Sequence, residues 1–304
     1  MSDEEPRTDG GAVSTLKGRS DIEGSTDGDG TSASEFAGEE LVIGYPSTGE
    51  PVIDGESIRV LPGEVTALVG PNGSGKSTLL KALADQLALD GGTVLLDGAD
   101  VHRLGTKELA RKLGLLSQEN VSPNSLTVEK LVEHGRYPHR GFFDGLGDED
   151  REAIERAISL AGIEHLRERE VGSLSGGQKQ LVWIAMVLAQ ETDVLLLDEP
   201  TTFLDLHHQL EVMGIVETLR DESDVTVVLV LHDIDQAARY ADSVVALKDG
   251  SIRARGPPGD VVTEELLAEV FGIEATVETT DRGPRITPLR PLHDRGDSGP
   301  VPDG

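Results

Sequence analysis

The chain contains no cysteine. That excludes a disulfide framework, a thiolate zinc site and a cysteine nucleophile, and it suits a reducing compartment. Aromatic residues make up only 3% of the 304 positions, so any local group of them stands out. Basic residues are outnumbered, 27 Lys and Arg against 56 Asp and Glu, for a formal net charge of −29. A surface of that sign repels phosphate backbones, so no nucleic acid partner is expected. No apolar run approaches the ~20 residues that a membrane helix needs. The start, Met1-Ser2-Asp3-Glu4-Glu5, has neither the basic nor the apolar region of a signal peptide. A soluble chain is expected, with any membrane role reached through a partner.

What is present is globular in composition, 37% apolar and 27% charged, enough for one large α/β domain or two small ones. Residues 1–38 are rich in Gly, Ser, Thr and Asp and poor in large apolar groups. They cannot bury enough surface to offset ordering entropy, and disorder is expected there. Residues 285–304, with scattered Pro, Gly and Asp, read the same way. In between, short apolar runs alternate with helical spacing. Val65–Val69, Val194–Leu197 and Val225–Leu231 are apolar on both faces, as buried parallel strands are. Leu79, Leu80, Leu83 and Leu87 follow the first run at helical spacing, giving the strand–loop–helix unit of a nucleotide-binding fold. Leu41 to Ile58 is β-like and should form a small sheet of its own. Residues 120–172 carry Leu131, Ile154, Ala157, Ile158, Leu160 and Ile163 at helical intervals and read as a helical insertion.

Gly70-Pro71-Asn72-Gly73-Ser74-Gly75-Lys76-Ser77-Thr78 matches the P-loop pattern in full. Its glycines let backbone N–H groups turn toward phosphate oxygens, and the following helix adds the positive end of its dipole. Lys76 is expected on the β- and γ-phosphates and the Ser77 hydroxyl on Mg²⁺. An apolar strand ending in Asp198-Glu199 supplies two carboxylates. In a chain with a P-loop, Asp198 would hold Mg²⁺ and Glu199 would polarise the attacking water. Alone, such acids could merely cap the next helix. Leu174-Ser175-Gly176-Gly177-Gln178 opens another amphipathic helix, where Ser and two glycines make an anion site. One P-loop does not need a second phosphate-binding helix for the same nucleotide; that helix makes sense as a cap on the ATP of a neighbouring copy.

With these motifs the chain resembles the ABC ATPase family over roughly residues 39–275. The resemblance implies an α/β fold: a P-loop NTPase, RecA-like core with a mostly parallel sheet, an N-terminal antiparallel β subdomain and a helical insertion. It further implies ATP and Mg²⁺ as cofactors, and two copies that close around two shared ATP molecules. Gln118 looks like the family's Q-loop glutamine, which touches Mg²⁺ and the water. Thr202-Phe203-Leu204-Asp205 stands at the D-loop, where the family more often has Ser-Ala-Leu-Asp; Asp205 matches. His232, after the run Val225–Leu231, resembles the switch histidine on the γ-phosphate. Tyr45 sits where an adenine-stacking aromatic would. His207 and His208 lack a third ligand for a metal and read as helix-surface residues.

Within the family, His134-Gly135-Arg136-Tyr137-Pro138-His139 and Gly141-Phe142-Phe143 resemble the corresponding stretch of importers for iron–siderophore chelates, haem and cobalamin, as does Leu204–Gln209. Such a subunit drives a polytopic permease dimer at the cytoplasmic face of the membrane, fed by an extracellular substrate-binding protein. Another importer class, or a soluble non-transport ABC ATPase, is the alternative. Tyr137, Phe142 and Phe143 could anchor the permease or pack the insertion's own core. Residues 251–280 read as a turn and a capped helix without chemistry. The acid-rich, lysine-poor composition resembles that of proteins from salt-accumulating archaea.

Overall fold

The structure is a computed structural model; it describes residues 34–45, 49–118, 120–121, 123–141 and 144–292. Most of both tails, and Phe142 and Phe143, lie outside the described residues. In chain order the elements are β1 (Phe36–Gly44), β2 (Pro51–Val60), β3 (Val65–Val69), α1 (Lys76–Leu83), β4 (Gly91–Leu96), β5 (Ala99–Asp100), α2 (Thr106–Lys112), β6 (Leu113–Leu116), α3 (Val128–Glu133) and α4 (Asp148–Leu160). They continue with α5 (Gly176–Leu188), β7 (Val194–Asp198), α6 (Leu206–Glu222), β8 (Thr226–Val230), α7 (Ile234–Tyr240), β9 (Ser243–Lys248), β10 (Ser251–Gly256), α8 (Pro258–Val261), α9 (Glu264–Phe271), β11 (Ile273–Thr280) and β12 (Gly283–Pro291).

The central sheet has six strands in the order β10-β9-β3-β8-β7-β6. Every neighbouring pair is parallel except the β9–β10 edge. Residues of β7 are buried without exception, and alternation sends them to two layers. Leu195 and Leu197 join the apolar layer of the helical insertion, α5 and α6. Val194 and Leu196 join the layer of α1 and the antiparallel sheet. This is why the run looks uniformly apolar rather than alternating.

The expected small antiparallel sheet is present and larger than the run Leu41–Ile58: four strands in the order β2-β1-β4-β5. It begins at Phe36, which is fully buried and paired with Val60 and Leu96, inside the stretch expected to be disordered. A second difference lies at the other end. Residues 285–291 belong to β12, paired with β11 in an antiparallel hairpin. Along it only Ala275 and Ile286 are buried, over α7 and α9. A strand that buries one side chain in nine carries almost no apolar pattern, so composition alone reads it as a tail. The insertion is helical as expected, with α3 and α4 packed on α5.

Candidate functional site

Strand order decides where the motifs meet. In the sheet β3, β8, β7 and β6 are consecutive, so the turns after their carboxyl ends share one rim, the usual place for a ligand in a parallel α/β sheet. Those turns carry the P-loop, His232, Asp198-Glu199 and Gln118. They enclose a cleft of about 690 Å³ lined by residues 72–78, Gln118, Glu199, Thr202, Phe203 and His232.

The P-loop ends in α1, with Gly75 at its N-cap at φ +98°, a left-handed conformation that disfavours any residue with a Cβ. At Gly70 a Cβ would overlap the backbone carbonyl of Leu247. Lys76 is 4% exposed, and its Nζ donates to Gly70 O at 2.9 Å and Pro71 O at 3.0 Å. Burial pulls its ammonium below the usual lysine range, opposed by Glu199 and Asp198. The lysine is thus folded back inside the loop, within reach of whatever the loop cradles. Tyr45, half exposed, makes a hydrogen bond of 3.2 Å between its hydroxyl and Thr78 Oγ1 at the mouth of the loop.

Ser77 Oγ donates to Asp198 Oδ1 at 2.7 Å across 121 residues of sequence. Asp198 is 1% exposed, and its Oδ2 is buried with no hydrogen-bond partner. Burial pushes its carboxyl up; the Ser77 bond pulls it back. An orphaned carboxylate oxygen beside a hydroxyl, at the foot of a phosphate loop, fits a hard cation. Among the described residues no three His, Asp or Glu form a metal cage, so a cation here must complete its shell with phosphate oxygens and water, the habit of Mg²⁺.

Glu199 is the hub. Its Oε1 is 2.6 Å from His232 Nε2. Its Oε2 accepts from Gln118 Nε2 at 2.7 Å and from Thr202 Oγ1 at 3.2 Å. The residue sits at φ +53°, a left-handed conformation that side chains rarely adopt and that clusters at functional sites. The three positions read separately from sequence therefore converge on one carboxylate. Gln118 holds Glu199 directly, a contact its resemblance-based role did not include. Thr202 was singled out only as a departure from the family's D-loop, yet it adds a third bond to that carboxylate; the signal was its place three residues after Glu199.

The signature turn lies elsewhere. Ser175 caps α5: its Oγ accepts from Gln178 N–H at 3.3 Å, and Gln178 Oε1 accepts from Ser175 N–H at 3.2 Å, a capping box. Leu174 is buried beneath it. Neither Ser175 nor Gly176, Gly177 or Asp205 lines the cleft that holds Lys76 and Glu199. Within one chain the P-loop and the signature are thus separate sites. Tyr137 is 57% exposed and stacks on His134 with ring centroids 4.8 Å apart, so it does not pack the insertion's core. His207 is a surface residue as expected, 77% exposed at its side chain. His208 is not: its side chain is 21% exposed and lies against α5. No helix among the described residues is long and apolar enough to cross a membrane.

The family model described as ABC transporter matches residues 53–202. The ferric enterobactin transport ATP-binding protein FepC of Escherichia coli K12 is 42% identical over 260 residues, 85% of this chain and 95% of that protein. Among solved structures, a metal-chelate type ABC transporter in an inward-facing conformation superposes with a TM-score of 0.72 at 27% identity, covering 85% of this chain and 98% of the other. The dimeric cassette MJ0796 superposes with a TM-score of 0.65 at 29% identity, covering 73% and 98%. A complete P-loop, a capped signature helix and a carboxylate hub, in a chain alike at this level along almost all of a known relative, place it: the chain belongs to the ABC transporter ATP-binding proteins, the family that hydrolyses ATP to power transport.

Proposed function

We propose that this chain energises an importer of iron(III)–siderophore, haem or cobalamin, hydrolysing ATP at the cytoplasmic face of the membrane. The observation that carries the cargo class is the likeness to FepC across 95% of that protein, with the insertion stretch His134–His139 in support. The substrate itself never touches this subunit, so the three cargoes remain one class.

The chemistry follows from the rim. Lys76 and the first-turn N–H groups of α1 bind the β- and γ-phosphates. Ser77, Asp198 and Gln118 are the residues that would hold Mg²⁺, which would supply charge neutralisation on the phosphoryl oxygens. Glu199 polarises the attacking water. Its carboxylate accepts from Gln118, Thr202 and His232, so these three must yield or share it when the water arrives. His232 then turns to the γ-phosphate. Tyr45 stacks on adenine above Thr78. The signature turn Leu174–Gln178 and Asp205 face a second copy's nucleotide. The separation of signature and P-loop within one chain supports this. So does the exposed apolar pair Phe203 and Leu206, 98% and 70% exposed, since bare apolar groups beside a functional cleft suit an interface. Two copies would dock on a permease dimer through the insertion, with Tyr137 as an anchor and an extracellular binding protein delivering cargo on the far side.

The test is affinity purification from native membranes, with a polytopic permease expected to come along. Deleting the gene should slow growth on chelated iron or on limiting cobalamin. Normal uptake of both, with no other ATPase able to substitute, would remove this cargo class. A chain recovered only with soluble partners would favour the non-transport alternative.

A further inference from the structure

Two elements of this chain are read as reaching a neighbouring copy's nucleotide: the signature turn at the start of α5, and Asp205, which caps α6. They belong to different helices, and one side chain joins them. His208, in the first turn of α6, donates from Nδ1 to Asp205 Oδ1 at 2.8 Å. Its backbone N–H donates to the same oxygen at 3.0 Å. These two bonds hold the Asp205 carboxyl below the usual carboxylate range.

The opposite edge of the same ring lies on Gly177. A Cβ built there would come within 2.6 Å of His208 Nε2 and closer still to Cδ2 and Cγ. These three imidazole atoms are the nearest neighbours of that position. Gly177 is an ordinary residue of α5 and is not among the glycines at positive φ, so its backbone does not call for glycine. The imidazole does. A histidine ring would usually swing away from such a contact; this one is tethered by Asp205. His207 is the contrast: it pairs with Glu211, one turn on, and meets the His208 ring edge-on at 5.5 Å between centroids, on the exposed side of the helix. A second tie runs alongside, from Gln180 Nε2 on α5 to Pro200 O at 2.9 Å, after Glu199.

We propose that His208 is a positioning residue that clamps the D-loop aspartate to the signature turn, so that both meet the partner's ATP as one rigid unit. Without the ring Asp205, whose side chain is 67% exposed, would keep only its cap bond to the backbone N–H of residue 208, and the signature turn would lose its backing. Displacements of about 1 Å in groups that orient a reaction cost on the order of 10²-fold.

The inference rests on the two-copy reading, so Glu199→Gln in saturating Mg-ATP comes first. A chain that fails to pair there removes that reading, and this inference with it. In a chain that pairs, His208→Ala should leave ATP affinity, set by the P-loop, within about twofold while turnover falls at least ~10-fold. ATP-driven pairing in the Glu199→Gln background should weaken alongside. His208→Asn keeps a donor where Nδ1 stood and an oxygen near the Cδ2 place beside Gly177, and should regain part of the turnover. Gly177→Ala should lower Tm, and adding His208→Ala should return most of that loss, because removing the ring leaves space for the methyl. If His208→Ala turns over and pairs like the wild type, the clamp does not exist. Equal losses of affinity and turnover, or Tm changes that simply add in the double variant, overturn it as well.

Discussion

Replacing Glu199 by glutamine removes one negative charge from the hub and nothing from its size. In the structure each carboxylate oxygen has a donor: His232 Nε2 at 2.6 Å on Oε1, Gln118 Nε2 at 2.7 Å and Thr202 Oγ1 at 3.2 Å on Oε2. The amide can keep one oxygen toward His232 and turn its NH₂ to the other side. There the Gln118 amide can flip to present its oxygen, and Thr202 can accept instead of donate. The fold should therefore lose little, on the order of 1 kcal/mol. Turnover is different, because an amide cannot take a proton from water. A general-base role contributes about 10²–10⁴-fold, or roughly 2.7–5.5 kcal/mol of barrier. Steady-state phosphate release should fall by that factor, while equilibrium binding of ATP is retained. Light scattering on a sizing column should show a dimer that persists with ATP. Hydrolysis at the wild-type rate, or a monomer in saturating ATP, would refute the roles assigned to Glu199 and to the paired copies.

Lys76→Ala should weaken ATP binding at least ~10-fold, since it removes a charge-assisted contact to phosphate; unchanged affinity in a fluorescence titration would place the nucleotide elsewhere. Arg136 is 4% exposed and holds Asp150, Glu191 and the carbonyl of Ala189 at 2.9 Å each. Arg136→Ala should cost about 3–5 kcal/mol by chemical denaturation, because it strands a buried carboxylate. The same pair makes an acid limb. Burial alone would raise the Asp150 carboxyl, but the Gly147 N–H and Arg136 hold it below its ordinary value of 3.8. Its contribution is present above that value and is lost as pH falls through the lowered one; Arg136→Ala should flatten this limb. With a net charge of −29, Tm should rise steeply in potassium chloride from ~0.1 M to ~3 M, as the Debye length shrinks from about 10 Å to under 3 Å. A flat Tm would dismiss the likeness to proteins of salt-accumulating archaea.

Much of the site was legible because phosphate chemistry is written in contiguous runs. The P-loop, Asp198-Glu199 and Ser175–Gln178 are each set by neighbours in sequence. A glycine's conformation, a strand's end and a helix cap are local properties. The three strands β3, β7 and β8 were legible for the related reason that burial on both faces leaves an unbroken apolar run. The two ends of the fold were not. Phe36 is one buried aromatic in a polar stretch, and β12 buries only Ile286, so neither rises above the composition around it.

Sequence by itself therefore determined which chemistry-bearing runs this protein carries: a complete P-loop, two carboxylates at the end of a buried strand, and a capped Ser-Gly-Gly turn at the start of another helix. Tertiary structure alone decided how those residues act on one another. Gln118 and Glu199 are 81 residues apart and bonded; Ser77 and Asp198 are 121 apart and bonded. His208, which spacing places on a helix surface, is pressed between Asp205 and Gly177. The physical reason is the same in each case. Side-chain hydrogen bonds and steric contacts depend on distances of a few ångströms. Such distances between remote residues exist only once strand order and helix packing have set them.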